Sequence, residues 1–294
     1  MANLKEVRTR IESVNSTKQI TSAMKMVAAS KLRRAQNAIT TMRPYAAKLQ
    51  ELMQDLNRSV EQADDNKYAV VRPAEKILLV PVTSNRGLCG AFNTNVIRAT
   101  VKLINEDFEA QHKAGNLKVF CIGKKGEDFF KSRKMSIYKA NNHVFDNLVF
   151  TEVVPIAQEL MDIFVAGEFD QIIFVYNQFK NAATQLLIHE QFLPVEMPQL
   201  EDDKQHEGLD YIFEPGKDQI LDELIPKSLK IQVYKMLLDS FASEHGARMT
   251  AMHKATDNAT ELLKDLKLSY NKARQAAITN EILEIVGGAN ALNG

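Results

Sequence analysis

Apolar residues recur at alternating steps of three and four along both ends of this 294-residue chain, and that repeat restricts its fold more than any other feature. Near the start, Leu4, Val7, Ile11 and Val14 keep the pattern. Leu32, Ala35, Ile39, Met42, Ala46, Leu49, Met53, Leu56 and Val60 sustain it over four repeats. The average step is the period of a left-handed coiled coil. Thr21, Met24, Ala28 and Leu32 join the two runs with one additional four-residue step, a stutter that locally unwinds a supercoil. Near the end, Met252, Ala259, Leu263, Leu266, Tyr270, Ala273 and Ala277 repeat the seam, with polar Thr256 filling one gap. At 1.5 Å per residue the two helices make rods on the order of 80 and 95 Å. Two such seams at opposite ends of one chain can bury each other by pairing antiparallel. Pro44 is expected to kink or distort the first helix, and Pro226 to interrupt the second early. The first helix should fade near Asp64-Asp65-Asn66, and Gly287-Gly288 should stop the second.

The middle of the chain has a different grammar. Strands are expected at 75–84, 117–122, 135–140, 170–179 and 183–195, with helices at 91–113 and 151–167 and a short one after Gly123. Alternating strands and helices, with apolar strands, argue for a mainly parallel sheet flanked by helices. The last two strands are joined by a short turn and should pair antiparallel. The expected fold is therefore α/β with a long coiled coil: antiparallel N- and C-terminal helices plus an inserted Rossmann-like sheet domain. The boundaries fall at 1–62 for the first helix, 70–213 for the inserted domain and 217–294 for the last helix.

Formal net charge is zero, but the charges are segregated. Residues 1–50 hold ten bases and two acids, whereas 196–224 hold ten acids and two bases. Such asymmetry points either to a solvated face or to a charged partner. The acidic stretch at 196–208 reads as a loop. In KQITSAMKMVAASKLRRAQ (18–36) the apolar residues are small or flexible, and Lys25, Lys31, Arg33 and Arg34 have no acid among them. That run raises a nucleic-acid binder as the alternative function. Against it, Tyr45 is the one aromatic residue in the first fifty, so a base-stacking platform is missing. Cys89 and Cys121 are read as reduced thiols, and no Cys or His cluster has metal-ligand spacing. The N-terminus has no apolar core of a secretory signal and reads as carrying no transit peptide, and no apolar run is long enough to span a membrane.

Enzyme signatures are weak. The turn SNRGLCGAFN opens a helix after a strand, a place where free N–H groups can hold phosphate. Gly87 and Gly90 alone do not complete a dinucleotide or phosphate-loop fingerprint. Gly123-Lys124-Lys125-Gly126 lacks the remainder of such a loop as well. The six histidines form no H-E-x-x-H pair, and no G-x-S-x-G occurs.

Three segments carry a family resemblance: IESVNSTKQITSAMKMVAASKLRRAQ, SNRGLCGAFNTN, and MTAMHKATDNATELLKDLKLSYNKARQAAITNEILEIVGGANAL. In this order they resemble the gamma subunits of F-type ATP synthases over the whole chain. The resemblance implies a non-catalytic central rotor shaft that couples ion-driven c-ring rotation to conformational change at beta-subunit catalytic sites. It implies three alpha and three beta subunits, an epsilon subunit and the membrane c-ring as partners, and no nucleic acid and no cofactor. It also implies a peripheral location on the cytoplasmic face of a bacterial inner membrane. By the resemblance, Met24 and Lys25 in TSAMKMVAA face an acidic beta loop, and Arg274, Gln275 and Thr279 in NKARQAAIT contact the beta ring. Ile282, Ile285, Val286 and Leu292 match an apolar tip that turns in a collar at the top of the ring. Gly246 stands where the resemblance suggests Ala; it should cost roughly 1 kcal/mol and add local bend. A cysteine-bearing inserted loop, as in redox-regulated chloroplast members, is missing, so thiol regulation is not expected.

Overall fold

The computed structural model describes residues 4–59, 67–195 and 217–292. In chain order these form α1 (Leu4–Ser59), β1 (Ile77–Pro81), α2 (Phe92–Glu106), α3 (Glu109–Lys113), β2 (Leu117–Ile122), α4 (Lys124–Ser132), β3 (Ile137–Asn141), α5 (Phe150–Val165), β4 (Gln171–Phe179), β5 (Gln185–Leu193) and α6 (Lys217–Leu292). They divide into two compact units. One joins Met1–Ala29 to Arg248–Gly294, and the other is Ser30–Ala247. The first unit pairs the beginning of α1 with the end of α6, so the two helices run antiparallel, as their seams require. The expected acidic loop at 196–208 and the fading of the first helix near 64–66 lie outside the described residues.

The larger unit is built on a five-stranded sheet in the order β3-β2-β1-β4-β5. β1 is parallel to both β2 and β4, β2 is parallel to β3, and β5 closes the edge antiparallel to β4. Every residue of β1, ILLVP, is buried, as a central strand covered on both faces must be. Alternate residues face two different helix layers. Leu78, Val80, Phe120, Phe174 and Tyr176 pack with α5 and with Ile225, Leu229, Val233, Met236 and Leu237 of α6. Ile77, Leu79, Val119, Cys121 and Ile173 pack on the opposite side with Ile104 of α2 and Phe130 of α4. The early part of α6 is thus part of the sheet domain's core as well as the root of a coiled-coil helix. On α1 within this unit, Leu32, Ala35, Ile39 and Leu49 of the seam are buried.

In the smaller unit the seam buries Val7, Thr21, Ala28, Met252, Ala259 and Leu263. Its polar layer is bonded across the helices: the Thr256 hydroxyl lies 2.9 Å from that of Thr21. Thr256 also reaches the Met252 carbonyl at 2.8 Å, and Thr21 the Lys18 carbonyl at 3.1 Å. Thr21 donates on its own helix, and the single Thr256 proton goes either to Thr21 across the helices or to Met252 on α6.

Several expectations are corrected. Helix 91–113 is two helices, because the N–H groups of Asp107 and Phe108 both donate to the Leu103 carbonyl at 3.0 Å and end the first helix there. Phe108 then packs against the sheet's α2 face. Pro226 lies inside α6 without interrupting it. Gly287 and Gly288 do not stop α6, which runs on to Leu292. A glycine ends a helix when it takes the left-handed conformation, and the positive-φ glycines are Gly90, Gly115, Gly123 and Gly167. In a right-handed backbone each of the pair only costs about 1 kcal/mol against Ala.

Candidate functional site

The glycine turns of the larger unit are filled by the protein itself. Ser84 N–H donates to Asn93 Oδ1 at 2.8 Å, and Asn93 Nδ2 donates back to the Ser84 hydroxyl at 2.8 Å and to Cys89 Sγ at 3.2 Å. At the start of α4, Lys124 N–H donates to Asn85 Oδ1, Lys125 N–H to the Ser84 carbonyl and Gly126 N–H to the Thr83 hydroxyl, at 3.0, 3.1 and 2.9 Å. These are the N–H groups that a phosphate would need. Gly123 has φ 98°, and a side chain there would collide with the Thr83 carbonyl. Gly123 and Gly126 therefore serve the close packing of this turn on Thr83, at the end of β1.

Nor do the other chemical groups of the larger unit form a reactive centre. Among the described residues no three His, Cys, Asp or Glu side chains sit together as a metal site would require. Both cysteines are buried and neither is in a disulfide. Burial pushes the Cys121 thiol up from 9.0 to about 12, and the nearby Glu127 carboxylate adds to the shift, so it stays protonated near neutrality. A cavity of about 660 Å³ lies where Leu103 and Phe108 overhang β4 and β5, beside Gln171, His189 and Gln232. Four of its polar side chains are already engaged with one another or with the sheet. Glu190 accepts from Tyr176 Oη at 2.6 Å and from Gln232 Nε2 at 2.9 Å, and Gln171 bonds to Gln191.

The smaller unit is the reverse. On α1, Ile20 and Val27 are 60% and 59% exposed, and half-buried Met24 lies between them. The three step by four and three, which makes a second apolar stripe beside the buried seam. Lys25 is half-buried. On α6, Arg274 and Gln275 are exposed, and the exposed Thr279 hydroxyl donates to the Gln275 carbonyl at 2.9 Å. Neither Lys25 nor Arg274 appears in an ion pair among the described residues, whereas Arg8 pairs with Glu12, and His253 with Asp257 when the histidine is protonated. Beyond them every residue from Glu281 to Asn290 is exposed, including Ile282, Ile285 and Val286. Ile285 reaches 70%. The Leu292 side chain lies outside the described residues. In the larger unit's share of α1, Lys31, Arg33 and Arg34 are likewise exposed and form no ion pair among the described residues.

Exposed apolar residues grouped in this way mark surfaces that contact something else. The structure places Met24 and Lys25 together on α1, and Arg274, Gln275 and Thr279 together on α6, with the apolar tip following. Ile20, Val27, Ile278 and Leu283 belong to the same exposed set and were not identified from the sequence. Their signal was present as a second apolar stripe that a single buried seam leaves unused.

The comparisons with known proteins agree over the whole chain. The ATP synthase family model matches residues 3–292. The ATP synthase gamma chains of Flavobacterium psychrophilum and Christiangramia forsetii are 60% and 59% identical over the full length of both proteins. Among solved structures, the central stalk and c-ring of the Tetrahymena thermophila mitochondrial ATP synthase matches at 26% identity and a TM-score of 0.58, covering 80% of this chain and 99% of that one. A chain of the Euglena gracilis mitochondrial ATP synthase shares the fold at 22% identity and a TM-score of 0.68, covering 98% of this chain and 94% of that one. The chain therefore belongs to the ATP synthase gamma chain family.

Proposed function

We propose that the chain is the central rotor of an F-type ATP synthase, transmitting c-ring rotation to the catalytic sites of beta subunits while breaking no covalent bond itself. The observation that carries this reading is the smaller unit: a coiled coil whose exposed apolar stripe and unpaired bases have no use inside the chain. Its partners are three alpha and three beta subunits, an epsilon subunit and the c-ring. It is held peripherally on the cytoplasmic face of a bacterial inner membrane; among the described residues no helix is long and apolar enough to cross one.

The residue types suit a part that must turn. Ala28 and Ala259 keep the paired helices close and the shaft slim. Lys25 and Arg274 meet acidic loops of the ring through exposed pairs worth about 0–1 kcal/mol each, too little to trap one rotational angle. Met24, Gln275 and Thr279 contact beta loops beside them. Ile282, Ile285, Val286 and Leu292 turn within an apolar collar, where small contact areas limit attraction at ~25 cal/mol/Å².

The test is reconstitution. The purified chain should hydrolyse no ATP, and mixing it with alpha and beta subunits should give an active complex. Hydrolysis at enzyme-like rates without partners would refute the reading. Arg274→Ala should lower coupled turnover about two- to fivefold, the scale of one exposed pair, and leave the fold of the isolated chain unchanged. Unchanged turnover removes Arg274 from the contact set.

A further inference from the structure

The turn between β4 and β5 is bonded to itself. Asn181 Oδ1 accepts from the N–H groups of Ala183 and Thr184 at 3.0 and 2.7 Å. The backbones of Asn181 and Thr184 exchange two more hydrogen bonds, at 3.2 and 3.3 Å. Gln185 Nε2 donates to the Ala182 carbonyl at 3.3 Å. A side chain that satisfies two successive N–H groups holds such a turn in one conformation.

This stiff tip seats on α6 at Gly246, which is buried. A methyl group built on Gly246 would stand 3.2 Å from both the Cα and the carbonyl oxygen of Ala182, and 3.6 Å from its carbonyl carbon. All three atoms are backbone, so no side-chain rotation relieves the crowding. Gly246 has an ordinary right-handed backbone, as its absence from the positive-φ residues shows. Its use lies in the missing side chain and not in conformational freedom. Gly246 thus allows a close approach between hairpin and helix.

The place of this contact along α6 gives it a mechanical meaning. The sheet domain grips α6 through Ile225, Leu229, Val233, Met236 and Leu237, and Phe145 stacks on Phe241 of α6 with ring centroids 6.1 Å apart. Gly246 lies five residues beyond Phe241, about 8 Å along the helix. It is also one residue before the larger unit ends at Ala247. A helix can still twist or tilt beyond its last grip. A further grip at Gly246, about one and a half turns on, takes that freedom away.

We propose that the Ala182 tip and Gly246 form a torque-transfer contact, through which the inserted sheet domain holds the azimuth of α6. Gly246 and Asn181 are its positioning residues: one makes room for the tip and the other keeps the tip rigid. This inference rests on the rotor reading and adds to it the contact by which twist passes from sheet to helix.

The test compares ions pumped per ATP hydrolysed in the assembled, membrane-reconstituted complex. In Gly246→Leu the tip is displaced, and the ratio should fall at least threefold while subunit composition and hydrolysis rate stay near wild type. Gly246→Ala should lower it less than twofold, because the backbone must yield by only a few tenths of an ångström. Asn181→Ala should act in the same direction without touching α6, and Asn181→Asp, which keeps the acceptor, should restore the wild-type ratio. A wild-type ratio in Asn181→Ala overturns the proposal even if Gly246→Leu fails to assemble. If the wild-type complex hydrolyses without pumping, the rotor reading falls and the contact with it; if only the variants behave as wild type, the contact alone falls.

Discussion

The two units of this chain treat apolar surface in opposite ways. In the larger unit Leu78, Phe120, Phe174 and Leu160 are completely buried, and even the glycine turns are closed by Asn93, Thr83 and Asn85. In the smaller unit one seam is buried, while Ile20, Val27, Ile282 and Ile285 face outward. Both faces of the larger unit's sheet are closed by helices of the same unit. The smaller one leaves its contacts open, in a form that is apolar, cationic and weakly directional. The difference separates residues that hold the fold from residues proposed to meet a partner, and mutations should respect that division.

The largest effect should come from cutting into the closed unit. Phe174→Ala removes a buried ring that packs edge-on against Phe192 at 5.5 Å between centroids. It should cost about 3–5 kcal/mol in denaturant unfolding. A loss under 1 kcal/mol would mean that this core is looser than its burial indicates. Alkaline titration probes the same unit. The Cys121 thiol is raised to about 12, so its contribution to stability is intact below pH 9 and is lost as pH rises from 9 towards 12. Cys121→Val should flatten that part of the pH–stability curve; an unchanged slope would assign the alkaline loss to other groups. In the open unit, Thr256→Val breaks the one hydroxyl pair in the seam and should cost roughly 1 kcal/mol, with Thr256→Ser close to wild type. Smallest of all, Ile285→Ser should change the stability of the isolated chain by less than about 0.5 kcal/mol, since the side chain is already in water. It should nevertheless weaken assembly with alpha and beta subunits. A large stability loss at Ile285 would erase the contrast between the units.

Periodicity made most of this fold legible. The seams at Val7, Leu32, Ala35 and Ile39, and at Met252, Ala259 and Leu263, are buried where their spacing puts them. Runs such as ILLVP and QIIFVYNQF are strands because buried parallel strands have no polar face to display. Sheet order was not legible, since nothing local in β4 says that it lies beside β1. Glycine was misread twice for one reason. Its role is set by what lies nearby or by its backbone conformation, and a sequence shows neither. Gly287-Gly288 looked like a stop and is ordinary helix, whereas Gly246 looked like a defect and is a seat for Ala182. The candidate site was half visible. Resemblance supplied Met24, Arg274 and the tip, but the stripe through Ile20 and Val27 emerged only once burial showed which apolar face the seam does not use.

The two native thiols give this chain a built-in clock. Cys89 and Cys121 lie at 1% and 0% exposure inside the sheet domain, so a thiol reagent reaches them only when that domain opens. Their labelling rate reads the opening equilibrium directly, without a denaturant and without an introduced probe. Cysteines added on the coiled coil would react at once and could be followed separately in the same tube.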